Sequence, residues 1–88
     1  MNTQTTTPTL TGLEKLAQMR DELRVRIHLA RLEARTEWER LEPKWWELEE
    51  KIDALETVSK ETAKDLKSAA ELLIGELKKG YERIRETL

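Results

Sequence analysis

His28 is the chain's one histidine, and it stands among Arg24, Arg26 and Arg31. An imidazole does acid–base work when a neighbour tunes its proton and a nucleophile waits beside it. Here the neighbours are cationic, and no cysteine or serine is placed to be activated. His28 therefore reads as a solvated surface side chain. A second chemical possibility is the acidic run of Glu47, Glu49, Glu50, Asp53 and Glu56. Glu49 and Asp53 are four apart and Glu47 and Glu50 three, so each pair shares a helix face. Helix bundles that hold two metal ions need inward-facing Glu-x-x-His pairs, and the sequence contains none. The run is expected to be a solvated face carrying ion pairs. No catalytic residue, cofactor or metal is expected, and the chain is expected not to be an enzyme.

Arginines and tryptophans offer recognition rather than reaction. Arg20, Arg24, Arg26, Arg31, Arg35 and Arg40 are interleaved with Asp21, Glu22, Glu33, Glu37 and Glu39, a net +1 over residues 20–40. A nucleic-acid face would be free of acids, so no nucleic-acid partner is expected. Residues 42–61 carry three bases and seven acids, a net −4. The planar fork of arginine suits carboxylates on a facing helix, so an antiparallel dimer could lay one chain's basic stretch on the other's acidic stretch. Trp38 and Trp45, seven apart, belong on one stripe, while Trp46 lies just off it. An exposed ring there could grip a partner helix or a lipid interface, although the polar residues around it are acidic.

The elements that must position these groups are helices. Charged residues form 39% of the 88 and apolar ones 38%, without phenylalanine or cysteine, so neither disulfides nor thiolate chemistry is available. No run reaches the roughly 20 apolar residues that span a bilayer. Residues 1–10, rich in threonine, lack a basic start and an apolar run, so they read as a disordered tail rather than a secretory signal. The expected location is cytoplasmic. Residues 11–88 read as one domain, opened by a capping box between Thr11 and Glu14.

From there Leu13, Leu16, Leu23, Ile27, Ala30, Ala34, Trp38, Leu41, Trp45, Leu48, Ile52 and Leu55 recur in steps of three and four. Arg20 is the one polar member of that stripe. The step from Ala34 to Trp38 is a second consecutive four, a stutter that locally unwinds a supercoil. The phase runs unbroken through Pro43, so a kink there is favoured over a chain reversal. The reversal is placed near residue 58, where Thr57, Ser59 and Thr62 are all potential N-caps. A second stripe follows through Leu66, Ala70, Leu73, Leu77, Tyr81, Ile84 and Leu88.

The expected fold is all-α: an elongated antiparallel helical hairpin resembling a coiled coil. Its long helix covers about 12–56, kinked near Pro43, and its second covers about 60–87. A three-helix bundle broken at Pro43 is the alternative. In the hairpin, Leu41, Trp45, Leu48, Ile52 and Leu55 meet Leu66, Leu73, Leu77, Tyr81 and Ile84, with Tyr81 beside Trp38. The longer arm, roughly 65 Å against 40 Å, would overhang. Leu13, Leu16, Leu23, Ile27, Ala30, Ala34, Trp38 and Trp46 are then the expected oligomer or partner interface.

The stretch "TAKDLKSAAELLIGELKKGYERI" resembles the C-terminal part of small bacterial coiled-coil proteins described as stress-response or apolipoprotein-like. Asp65, Leu66, Lys67, Glu71, Glu76, Leu77, Lys78 and Tyr81 carry the resemblance, and "EWERLEPKWWELEEKIDALE" resembles their charged helix before a serine-containing hinge. The chain departs from them at Pro43, and at Ala63 and Ile74 where they tend to carry tryptophan. The resemblance covers residues 13–88 and implies an elongated helical protein of loosely defined role. Together these readings predict a structural or interaction protein that forms a homo-dimer or tetramer, or pairs with another helical protein. Reversible binding to a lipid or other apolar surface is the alternative.

Overall fold

Helix-forming residues dominate the part of the chain that the computed structural model describes, residues 12–88, and no strand forms among them. Three α-helices result: α1 (Leu13–Arg26), α2 (Leu32–Ala54) and α3 (Lys60–Thr87). The expected tail at 1–10 and the cap from Thr11 lie outside the described residues. Gly12 occupies the cap position of α1 with φ +81°, a left-handed conformation open to glycine and strained for any other residue.

The uninterrupted helix expected over 12–56 does not form. α1 ends in a 3-10 turn at Ile27–Leu29, and Ala30 and Arg31 are extended, with ψ of 163° and 158°. No glycine or proline stands in this stretch, so intrinsic propensity alone would carry the helix on. Tertiary burial decides instead. The break folds α1 back, and Leu16, Met19, Leu23 and Ile27 enter the core. Each fully buried aliphatic side chain of this kind stabilises by about 1.5–3 kcal/mol, which outweighs the few residues of helix given up.

Pro43 lies inside α2, so the alternative break at that residue does not form either. Its missing amide leaves the Glu39 carbonyl without its usual helical donor. Both residues are exposed, where water can serve that carbonyl. α2 ends in a tight turn in which the Leu55, Glu56 and Thr57 amides donate back to Lys51, Ile52, Asp53 and Ala54 carbonyls. Ser59 then caps α3, its hydroxyl accepting from the Thr62 amide at 3.4 Å.

α3 runs antiparallel to α2. Tyr81 stacks on Trp38 with ring centroids 5.8 Å apart, Lys44 pairs with Glu76 at 3.2 Å, and Arg83 pairs with Glu37 at 2.7 Å. The spacing of the stripes predicts this Trp38–Tyr81 pairing. α1 lies parallel to α3, with Glu22 3.9 Å from Arg85 and Gly12 close to Ile74. The described residues therefore measure 43 × 27 × 16 Å, shorter than the roughly 65 Å of the expected long arm.

This return corrects the expected overhang. Leu16, Leu23, Ile27, Ala34 and Trp38 are buried within their own chain rather than left bare for a partner. Leu13 and Ala30 are half-buried, and Trp46 alone of that expected interface is exposed. Of the expected hairpin core, Leu41, Leu48, Leu73, Leu77, Tyr81 and Ile84 are buried, whereas Trp45, Ile52, Leu55 and Leu66 are half-buried. Met19 and Ile74 join the core from outside both stripes.

Candidate functional site

Between α1 and α2 the backbones stand apart: no Cα of α1 comes within 8 Å of one in α2 among the described residues. Large side chains fill the space. Arg20 projects from α1 with its side chain only 12% exposed, and its guanidinium carbon lies 5.5 Å from the Trp38 ring centre and 4.9 Å from that of Trp45. Its Nη2 donates to both carboxylate oxygens of Glu42, at 2.9 and 3.2 Å. Stacking between two rings while paired to a carboxylate suits the planar guanidinium and would not suit an ammonium. A desolvated cation–π contact is worth roughly 2 kcal/mol.

The Tyr81 hydroxyl completes this cluster from α3. It is fully buried, and like the Nε of Arg20 it makes no hydrogen bond among the described residues. Burial pushes the phenol up to about 12, with the Arg20 charge pulling the other way and the Glu42 charge adding to the rise. One arginine thus ties α1 to α2 and sits beside the aromatic pair that joins α2 to α3. The Arg20 cation is paired with Glu42, and the cluster fastens the three helices together.

A groove runs along the α1–α2 seam on either side of this plug. On one side Leu13, Ala17, Trp45 and Ile52 line a trough of about 430 Å³ rimmed by Glu49 and Asp53. On the other, Ile27, His28, Arg35, Trp38, Glu39 and Glu42 line a similar one of about 440 Å³. Trp46, one turn from Glu49, is 56% exposed. At the corner where α1 meets α2, three aliphatic side chains face outward: Val25 at 77%, Leu29 at 95% and Leu32 at 70% exposure.

His28 is exposed at that corner. Glu47, Glu49, Glu50, Asp53 and Glu56 are exposed too, with Lys51 3.7 Å from Glu47. Among the described residues no group of acidic or histidine side chains is arranged to hold a metal ion. No described helix is long and apolar enough to cross a membrane. Glu37 accepts from Arg40 and Arg83, and these two hydrogen bonds, that from Arg40 the larger influence, hold its carboxyl below the usual range.

Position on the stripe marks Arg20 as unusual, since every other member is apolar. Its partners could not be read there, because Glu42 and Tyr81 are 22 and 61 positions away along the chain. No family model matches the chain, and no curated protein or solved structure matches it significantly.

Proposed function

We propose that this chain is a non-enzymatic structural or interaction protein, a folded-back helical bundle that associates with copies of itself as a dimer or tetramer. The observation that carries this reading is where the outward-facing apolar side chains lie. Val25, Leu29 and Leu32 are exposed around the α1–α2 corner, Trp46 is exposed on α2 one turn from the groove-rimming Glu49, and Leu72 is exposed on α3. Exposed apolar groups gathered in this way mark association surfaces. The charged groups supply register, since the acidic excess of residues 42–61 faces the arginines of residues 20–40 in an antiparallel arrangement. A stress-related role in the cytoplasm, and a different helical protein as partner, belong to the same reading.

Sedimentation equilibrium over a range of concentrations tests it. The expected result is a dimer or tetramer that dissociates on dilution and weakens when Arg24, Arg31 and Arg35 are replaced by glutamate. A monomer at every concentration would refute self-association.

One observation favours a second reading, reversible binding to an anionic lipid surface. Residues 24–32 contain Arg24, Arg26 and Arg31 and no acid, and they surround the three exposed aliphatic side chains. Basic residues beside protruding aliphatic ones suit an anionic interface. The test is co-sedimentation with vesicles of phosphatidylglycerol mixed with phosphatidylcholine. Binding that is lost in Leu29→Glu would favour lipid, and no binding would remove the second reading.

A further inference from the structure

The segment that folds α1 back contains nothing that forbids a helix. Residues 27–31 are Ile, His, Leu, Ala and Arg, and the apolar stripe passes through them in phase, from Leu23 and Ile27 to Ala30, Ala34 and Trp38. Yet the helix stops, and α2 restarts at Arg31 with no side-chain cap on its free amides. Local preference and tertiary structure disagree over five residues.

The pairing across the fold-back has a geometric consequence. α1 and α2 are antiparallel, and Arg20 pairs with Glu42, so their register is centred on residue 31. If residues 27–31 became helical, Leu13–Ala54 would form one straight helix of about 63 Å. Two such helices laid antiparallel about an axis at residue 31 would place α1 of each copy against α2 of the other in the same register. Every contact of α1 could then be remade between chains: Arg20 with Glu42 between the tryptophan rings, Glu22 with Arg85, and Leu16 and Leu23 in the core.

We propose that two copies of this chain exchange α1 by straightening residues 27–31. This rests on the self-association reading and assigns its mechanism. The exchanged dimer keeps the contacts of α1 with α3 and with the side chains of α2, gives up those of the 3-10 turn, adds helical hydrogen bonds at the hinge, and loses the entropy of association. Protein concentration therefore sets the balance between the two forms.

Arg31→Pro separates them. Arg31 has φ −63°, the angle proline imposes, and Ala30 before it has the extended ψ that proline requires. The Arg31 amide donates no hydrogen bond among the described residues. The substitution thus fits the folded-back form, and it kinks and destabilises the continuous helix where the two copies would cross. In sedimentation equilibrium the wild type is expected to dimerise, and Arg31→Pro to dimerise at least tenfold more weakly than Arg31→Ala, which removes the same charge without fixing the backbone.

A second measurement covers the case of a proline variant that does not fold. Chains carrying Glu22→Cys are refolded together with chains carrying Arg85→Cys, each otherwise free of cysteine, and treated with a short bismaleimide. Exchange predicts covalent heterodimers, and their absence in a sample that is dimeric would overturn it. Equal dimerisation of wild type and Arg31→Pro would overturn the exchange while leaving self-association standing. A wild type that is monomeric throughout would overturn both.

Discussion

Between α2 and α3 a Cβ placed on Gly80 would lie 2.5 Å from a methyl group of Leu41, whereas between α1 and α2 no two Cα atoms come within 8 Å and an arginine fills the gap between two tryptophan rings. The first seam is closed by a missing side chain, the second by oversized ones. Close approach lets Leu41, Leu48, Leu73 and Leu77 interdigitate at the density of an ordinary core. The wide seam depends on one polar group that must stay paired. The first should therefore resist added volume, and the second lost volume.

The largest effect is expected at the wide seam. Arg20→Ala removes the filler and leaves Glu42 half-buried without its cation, a loss of about 3 kcal/mol. Arg20→Met should lose markedly less, because a straight chain still fills the space between the rings. Urea unfolding of both variants checks the order. If the two were equally destabilised, charge rather than volume would govern the seam.

Tyr81 tests the same cluster through pH. Its phenol titrates near 12 when folded, against about 10 in an unfolded chain, so the unfolded state releases its proton first as pH rises. Stability is intact below pH ~10 and declines between there and 12 by about 2–3 kcal/mol. Tyr81→Phe should lack that decline, and near neutrality it should be as stable as the wild type or up to about 1 kcal/mol more so, since an unpartnered buried hydroxyl is gone. Thermal melts at neutral and alkaline pH measure both.

The tight seam is tested by its glycines. Gly80→Ala gains about 1 kcal/mol of helix propensity but drives a methyl into buried Leu41, whose displacement costs about 1–3 kcal/mol, so a net loss near 1 is expected. Gly75→Ala meets nothing within 4 Å and should stabilise by about 0.5–1 kcal/mol. Opposite signs in denaturant midpoint would confirm that the seam closes on Gly80 specifically.

The smallest effect is expected at Glu37, at the surface end of the tight seam. Its lowered carboxyl pKa contributes stability above the unfolded carboxylate value, and that contribution is lost as pH falls through the folded one. Glu37→Gln should be slightly less stable than the wild type at neutral pH, with the gap closing in acid.

The periodic features were the legible ones. The unbroken phase around Pro43 correctly implied a helix passing through it, and the serine and threonines after residue 56 marked a real turn capped by Ser59. The break at 27–31 was not legible as a break, because Ile, His, Leu, Ala and Arg carry no stop signal. What decides it is burial against α3, which begins 29 positions beyond Arg31. The stutter at Ala34 and the two alanines in the stripe were the nearest local sign. Met19 and Ile74 were missed for a related reason. A two-helix seam buries one narrow stripe, while a helix touching two neighbours buries a wider face. Arg20 stood out on its stripe, but only the third dimension supplied Glu42 and the paired rings.

The parallel placement of α1 beside α3 also has a meaning in time. On the ribosome α1 is made first and its docking surface last, since Glu22 and Arg85 are separated by 63 residues. At the usual pace of synthesis the delay is roughly 3–12 seconds, long against the formation of any helix. During that interval Leu16, Met19, Leu23 and Ile27 lack the α3 surface against which they are buried in the finished fold. A helix face left bare for that long is open to association before the fold is complete.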